Sequence, residues 1–485
     1  MSDSPVQIQF ALISHTNNGK TTLARTLVGV DVGEVRDAAH VTVLAESHTL
    51  LQSAAGDTLQ LWDTPGFGDS VRLLRRLSMS GNPIGWFLRE VFDRYRDKPF
   101  WLSQQALRTA RDSADVVLYL VNSSEHPRDA GYLPPEMRIL EWLGKPVVVL
   151  LNQLGPPRPA AEEQAEQARW REHLAQYPVV RETLALDAFA RCWVHESVFY
   201  ETVGRLLDPA KQDGYARLLD VWRSANEARF AQAMRATAEL IAAAARDSEP
   251  VQVEEKSLLQ SAMKVVGLSR SGEQQRQEKA MALLVDRLNV RIGETTRTLL
   301  VLHRLDPGAA SKVNARVRDN FKVRAPVDQT QAGLLGAVVS GAATGLSADL
   351  MAGGLTFGAG ALIGGVVGAL TMAGAAWGFN ASTDRQRTTM SFADEFLHSL
   401  LASSVLRYLA VAHFGRGRGN FVEGEAPAFW QAEVEAALAV HADEEAAAWA
   451  SLRSDAVGAK ASESLVNIVT AVTQRTLAQL YPGSV

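Results

Sequence analysis

The sequence predicts an α/β domain, a mainly parallel sheet with helices on both faces, followed by a mostly α-helical domain containing a Gly/Ala-rich helical hairpin. Three observations carry this. Val116 to Val121 and Val147 to Leu151 are short continuous apolar runs, the pattern of strands buried on both faces. Helical segments alternate with them, which gives βαβ units. Beyond about Asp208 the strand signals fade and long helical patterns take over.

The elements follow in order. Val6 to Ile13 reads as a strand, followed by a polar loop and a helix from Thr21 to Val28. Ser47 to Gln52 and Thr58 to Trp62 read as strands joined by the turn Ala54 to Asp57. Residues 67–113 are longer than a minimal crossover and read as a helical insertion, with apolar spacing at Arg72 to Leu77 and Gly85 to Tyr95. A charged amphipathic helix, Ala160 to Ala175, follows the Pro-rich loop Pro156 to Pro159. The first domain is placed at 1–210 and the helical domain at 211–485. In the latter, helical patterns cover Tyr215 to Arg246, Glu254 to Val266, Gln274 to Leu305, Ser391 to Phe414, Ala426 to Arg453 and Ala459 to Leu480. No fixed-period repeat is present.

The chain has 485 residues, enough for two or three domains, and 47% are hydrophobic. A formal net charge of -5 gives no global attraction to nucleic acid. Cys192 is the single cysteine, which excludes an intramolecular disulfide and fits a reducing compartment. Met1 to Phe10 lacks a basic-then-apolar signal pattern, so a cytoplasmic location is expected.

The first chemical motif is Ser14-His15-Thr16-Asn17-Asn18-Gly19-Lys20-Thr21, continued by Thr22. It has the spacing of the G-x-x-x-x-G-K-[ST] phosphate loop, with Ser14 where the first glycine belongs. A buried strand delivers the chain to a tight loop whose N–H groups, with the following helix N-terminus, converge on a polyphosphate. Lys20 supplies charge at the β- and γ-phosphates, Thr21 a hydroxyl for Mg²⁺, and Gly19 close backbone approach. The second motif is Asp63-Thr64-Pro65-Gly66, at the end of the strand Thr58 to Trp62. Asp63 there can hold Mg²⁺ through a water, and the Gly66 N–H can bond the γ-phosphate. Loss of that phosphate releases the loop, as in a nucleotide switch.

With these two motifs, Val6 to Trp193 resembles a TrmE–Era–EngA type GTPase, the class described as 50S ribosome-binding GTPases. The helical remainder resembles a proteobacterial C-terminal domain of unknown function, through Leu406-Arg-Tyr-Leu and His413-Phe-Gly-Arg-Gly-Arg-Gly419. The first resemblance implies GTP and GDP as ligands, Mg²⁺ as cofactor and a slow hydrolysis that resets a switch. It implies that Asn17 helps to hold K⁺. It places Thr42, in His40-Val41-Thr42, as a second hydroxyl ligand of Mg²⁺ from the first switch loop. Lys20, Thr42 and Gly66 are thereby the expected catalytic set. Phe67 stands where Ras-like proteins carry a water-positioning Gln, so catalysis needs a K⁺ ion or a partner. The base-reading Asn-Lys-x-Asp appears as Asn152-Gln153-Leu154-Gly155. Asn152 and Gln153 are the expected nucleotide contacts that remain, and Gly155 replaces the carboxylate that pairs with guanine, a loss worth about 1.5–3 kcal/mol. GTP is the expected nucleotide, with guanine preference weakened. A later base contact falls at Leu186-Asp187-Ala188.

Residues 329–383 form the hairpin segment, uncharged apart from Asp349 between its halves. Glycines recur at spacing four, at Gly341 and Gly345, Gly354 and Gly358, and Gly360, Gly364 and Gly368, which suits close helix packing. Lys322, Arg324, Arg385 and Arg387 flank the segment on one side. Two readings stand: 332–379 contacts the inner membrane from the cytoplasmic side, with Trp377 near the interface, or the segment is a buried soluble pair. His413 with Arg416 and Arg418 reads either as an anionic-lipid or partner site or as a polar Gly-rich turn. A protein partner or homodimer fits a switch. Two further function classes remain beside the switch enzyme: a nucleotide-gated scaffold with negligible turnover, and a soluble ribosome-associated GTPase.

Overall fold

The computed structural model describes residues 4–28, 46–64, 66–67, 69–78, 101, 104, 107, 110–154, 158–186, 193–251, 270–311, 313–314, 377–381, 388–413, 427, 429–454 and 458–481. They fall in two compact units. One comprises Met1–Arg229, Ala412–Pro427 and Leu477–Val485; the other comprises Phe230–Val411 and Ala428–Thr476.

The first unit is built on a six-stranded sheet. Its strands are β1 (Gln7–Ser14), β2 (Glu46–Gln52), β3 (Thr58–Asp63), β4 (Val116–Asn122), β5 (Val147–Asn152) and β6 (Val180–Ala185), in the order β2-β3-β1-β4-β5-β6. All neighbours are parallel except β2, which pairs antiparallel with β3. The β2–β3 connection is the expected turn, closed by Gly56 N–H to the Ser53 carbonyl at 3.0 Å. Gly56 sits at φ +89°, a conformation that needs no Cβ.

Alternation along β1 supplies two cores. Ile8, Phe10 and Leu12 face one side, with Phe199, Leu218 and Trp222. Ala11 and Ile13 face the other, with Met137 and Leu140. The helices on these faces include α1 (Lys20–Val28), α2 (Ser70–Ser78), α3 (Leu133–Leu143), α4 (Ala160–Leu174) and α5 (Trp193–Gly204). The start of α6 (Pro209–Arg246) is also part of this unit: Tyr215, Leu218 and Trp222 complete the first core. Of the predicted insertion, α2 covers Arg72 to Leu77, whereas Gly85 to Tyr95 lie outside the described residues.

The predicted helical patterns appear as the rest of α6, α7 (Arg270–Leu302), α8 (Asp394–Ala412), α9 (Phe429–Ala439), α10 (Ala442–Arg453) and α11 (Gly458–Leu480), which belong to the second unit except for Ala412 and the end of α11 from Leu477. Glu254 to Val266 lie outside the described residues. The unit also contains strands the helical reading missed. β7 (Ser248–Val251), β8 (Trp377–Ala381) and β9 (Thr388–Phe392) form an antiparallel sheet in the order β7-β9-β8. The end of the expected helical hairpin, including Trp377, is therefore a strand, and α8 begins at Asp394 rather than at Ser391. The reason is local. Thr388-Thr-Met-Ser-Phe392 carries β-branched and aromatic residues, and Met390 and Phe392 are buried. Lack of charge marks burial and is blind to helix or strand. Residues 332–376 lie outside the described residues.

His413 does not match the lipid-site reading. It is buried and its ring stacks on Tyr481 at 5.4 Å, so it does not offer a surface cation to lipid. Arg416 and Arg418 lie outside the described residues.

Candidate nucleotide-binding site

Parallel strands end at one edge of the sheet, and in open α/β sheets ligands gather at that edge. Ser14 ends β1, Asp63 ends β3 and Asn152 ends β5. The loop from His15 to Gly19 leads directly into α1 at Lys20. Its backbone takes two unusual conformations, Asn17 at φ 67° and Gly19 at φ +84°. A Cβ on Gly19 would lie 2.7 Å from Asn152 Nδ2, so glycine is required there for space as well as for φ. Ser14, which replaces the expected first glycine, is buried and is not among the positive-φ residues. The serine therefore occupies the position without left-handed strain.

Side chains converge beneath this loop. Lys20 is buried and donates from Nζ to Ser14 Oγ at 3.2 Å, while Ser14 Oγ donates to the His15 carbonyl. Burial pushes the Lys20 ammonium down from its usual pKa, and the carboxylates of Asp63 and Glu136 oppose that shift. Thr21 Oγ1 donates to Asp63 Oδ2 at 2.8 Å, and Asp63 is 3% exposed. A hydroxyl and a carboxylate oxygen so close together are the hard oxygen donors that Mg²⁺ takes, which leaves its other positions to water and phosphate. These two residues fit a magnesium site.

Gly66 lies close against the phosphate loop: a Cβ on it would come within 2.8 Å of Lys20 Nζ and 3.1 Å of Thr16 Cα. Phe67 N–H donates to the Ser14 carbonyl at 3.0 Å, and Thr16 N–H donates to the Phe67 carbonyl at 3.3 Å. The loop after β3 is thus stitched to the phosphate loop by a short parallel bridge, His15 to Phe67. The Phe67 side chain is fully buried among core residues such as Leu73 and Met137, so its ring cannot position a water molecule.

Asn152 is buried, and its Nδ2 donates to the Asn18 carbonyl at 2.9 Å; Asn18 Nδ2 in turn donates to the Leu120 carbonyl at 3.2 Å. Asn152, expected at the base, here braces the phosphate loop. Gln153 follows at φ 60°. Thr22 is buried in α1, and Asn17 is exposed at the loop tip. Thr42, Pro65, Gly155, Asp187, Ala188 and Cys192 lie outside the described residues.

One functional group belongs to no sequence motif. Glu136 is fully buried in α3, with Oε1 2.7 Å from His15 Nδ1 and Oε2 accepting from the Tyr119 hydroxyl at 2.5 Å. The His15 ring stacks on Tyr132 at 4.6 Å, with 13° between the planes. A signal existed: Glu136 falls on the same helical face as Leu133, Met137 and Leu140, where an apolar residue is expected.

Residues 9–153 match the family described as 50S ribosome-binding GTPase, and residues 171–470 match the domain of unknown function DUF3482. Residues 9–153, within the first unit, are thus similar to a P-loop GTPase domain. With more than half of its length matched by the second model, the chain belongs to the DUF3482 family. Solved structures resembling the chain include Era in complex with MgGDPNP and nucleotides 1506-1542 of 16S ribosomal RNA, at 19% identity and a TM-score of 0.28. That likeness covers 38% of this chain and 51% of that one, so the chain spans about half the length of this Era. A single-substitution variant of Aquifex aeolicus Era bound to GDP.AlF4- is 15% identical over 59% of this chain and 90% of that one, with a TM-score of 0.31. A bacterial selenocysteine-specific elongation factor is 15% identical over 38% of this chain and 26% of its own, with a TM-score of 0.24. No curated protein matches the chain.

Proposed function

We propose that this chain is a GTP-binding switch with slow, cation- or partner-dependent hydrolysis. The observation that carries the reading is the cluster of buried Lys20 with Thr21 Oγ1 and Asp63 Oδ2 at 2.8 Å, under the phosphate loop. Lys20 and the loop N–H groups would bind phosphate, Thr21 and Asp63, joined by Thr42, would hold Mg²⁺, and Gly66 would sense the terminal phosphate. Mg²⁺ supplies charge neutralisation between phosphate oxygens when bound. Burial of Phe67 supports low intrinsic turnover, because the residue after Gly66 contributes no polar group. That same observation favours the second reading, a nucleotide-gated scaffold with negligible hydrolysis.

The deciding experiment is binding of fluorescent GTP and ATP analogues to the purified protein, with Mg²⁺ and with EDTA. GTP binding that requires Mg²⁺ and exceeds ATP binding is expected. Equal binding of the two would remove guanine from the proposal, and no binding of either would end it.

Asn17 at the exposed loop tip supports a monovalent-cation role. Hydrolysis is expected to run faster in K⁺ than in Na⁺, because a cation near the β–γ bridge offsets charge growing in the transition state. Asn17→Ala is expected to erase the difference. Equal rates in the two salts, in an active preparation, refute the cation role.

The second domain's part in the proposal is membrane contact through 332–379, for which the uncharged, Gly-spaced sequence is the support. Among the described residues no helix is long and apolar enough to cross a membrane. After cell fractionation and a carbonate wash, the full chain is expected in the membrane pellet and a chain lacking 332–379 in the supernatant. A full chain that stays wholly soluble, with and without triphosphate, assigns the segment to internal packing. The ribosome-associated alternative predicts cosedimentation with ribosomes, against which the net charge of -5 counts.

A further inference from the structure

We propose that Glu136 is a positioning residue that latches the phosphate loop to α2, so that His15 and the helix following the Asp63–Gly66 loop move as one. The inference rests on the nucleotide-binding reading of that loop and names how the state of the loop would be passed on.

Two side chains meet on this one buried carboxylate, and α2 packs against α3, the helix that carries it. His15 comes from the phosphate loop, with Nδ1 2.7 Å from Oε1. Tyr119 comes from the middle of β4, donating to Oε2 at 2.5 Å. Ser70 is the first residue of α2 and is buried. Burial pushes the Glu136 carboxyl up from its usual range, and hydrogen bonds from His15, Tyr119 and Ser70 oppose that rise. Tyr132 fixes the imidazole from a further side by stacking on it. Lys20 and Asp63 lie in the same electrostatic neighbourhood, since Lys20 feels both carboxylates.

The backbone makes a parallel connection. Phe67, bridged to His15, is three residues before Ser70. The start of α2 is thus tied to the phosphate loop twice, through main chain at Phe67 and through α3, which packs on α2 and carries Glu136 to His15. A buried carboxylate stripped of a hydrogen bond is costly, so the latch resists partial opening. A displacement of Gly66 and Phe67 by an arriving phosphate would then shift α2 as a unit instead of being absorbed in the loop.

The test is amide hydrogen exchange of the full chain without nucleotide, following peptides over 14–28 and 70–78. His15→Ala is expected to accelerate exchange over 70–78 by about tenfold or more, the equivalent of one lost charge-assisted hydrogen bond. His15→Asn, whose amide nitrogen can stand near the place of Nδ1, is expected to restore the wild-type rate. Acceleration confined to 14–28 overturns the latch. If His15→Ala fails to fold, Tyr119→Phe removes only a hydroxyl from the same carboxylate. It too is expected to loosen 70–78, and unchanged exchange there overturns the proposal. Binding of fluorescent GDP is measured alongside. A wild-type chain that binds no GDP refutes the nucleotide reading, while the nucleotide-free exchange still decides the latch.

Discussion

Lys20→Ala is expected to lower triphosphate affinity by roughly a hundredfold while the protein stays folded, as loss of about two charge-assisted hydrogen bonds to phosphate requires. Lys20 is buried at the base of the phosphate loop, and its one direct hydrogen bond among the described residues, to Ser14 Oγ, is 3.2 Å long. Desolvation already disfavours its charge, which pushes the ammonium below its usual pKa. Without ligand the carboxylates of Asp63 and Glu136 only partly offset its desolvation, so its removal costs little stability. A bound polyphosphate would supply the missing counter-charge. Thermal unfolding checks the fold and a fluorescent-nucleotide titration reads the affinity. A folded Lys20→Ala protein with wild-type affinity removes the phosphate-loop assignment, and with it the proposed function.

Asp57→Ala is expected to destabilise the first unit by about 3 kcal/mol without touching the nucleotide site. Asp57 is fully buried at the β2–β3 turn. It accepts the Val6 N–H at 3.0 Å, the Ser53 hydroxyl at 2.6 Å, and Arg217 Nε and Nη2 at 2.7 Å each. Truncation strands the Val6 N–H and removes two hydrogen bonds from the guanidinium. Arg217 is 39% exposed and can recover water, which keeps the loss at the lower end for a broken buried pair. The Arg217 hydrogen bonds hold the Asp57 carboxyl well below the usual carboxylate range. The folded state thus favours the ionised form. Its contribution is complete above the unfolded carboxylate pKa of about 3.9 and is lost as pH falls below it. Urea unfolding of wild type and Asp57→Asn should show a gap in midpoint at pH 7 that narrows as the pH is lowered through that range. Equal midpoints at pH 7 would remove the anchor.

The sequence alone determined the elements whose signal is carried by adjacent residues. The apolar runs of β4 and β5, the turn before Asp57 and the order strand, Gly-Lys-Thr, helix depend on local periodicity and backbone conformation. The motif positions Lys20, Thr21 and Asp63 were legible for the same reason, because each lies at the end of a recognisable strand or the start of a helix. What a side chain meets was decided by the fold. Asn152 reads as a base contact, yet β5 brings it to the Asn18 carbonyl, 134 positions away. His15 reads as a loop residue, yet sheet order sets it against Glu136, 121 positions away. Trp377–Ala381 reads as part of a helix because the uncharged run continues through it, and lack of charge suits either conformation. Its pairing with β9 made it a strand. The physical division is between range and burial. Propensity and period act over a few residues, whereas a buried polar atom must be satisfied by whatever the topology delivers.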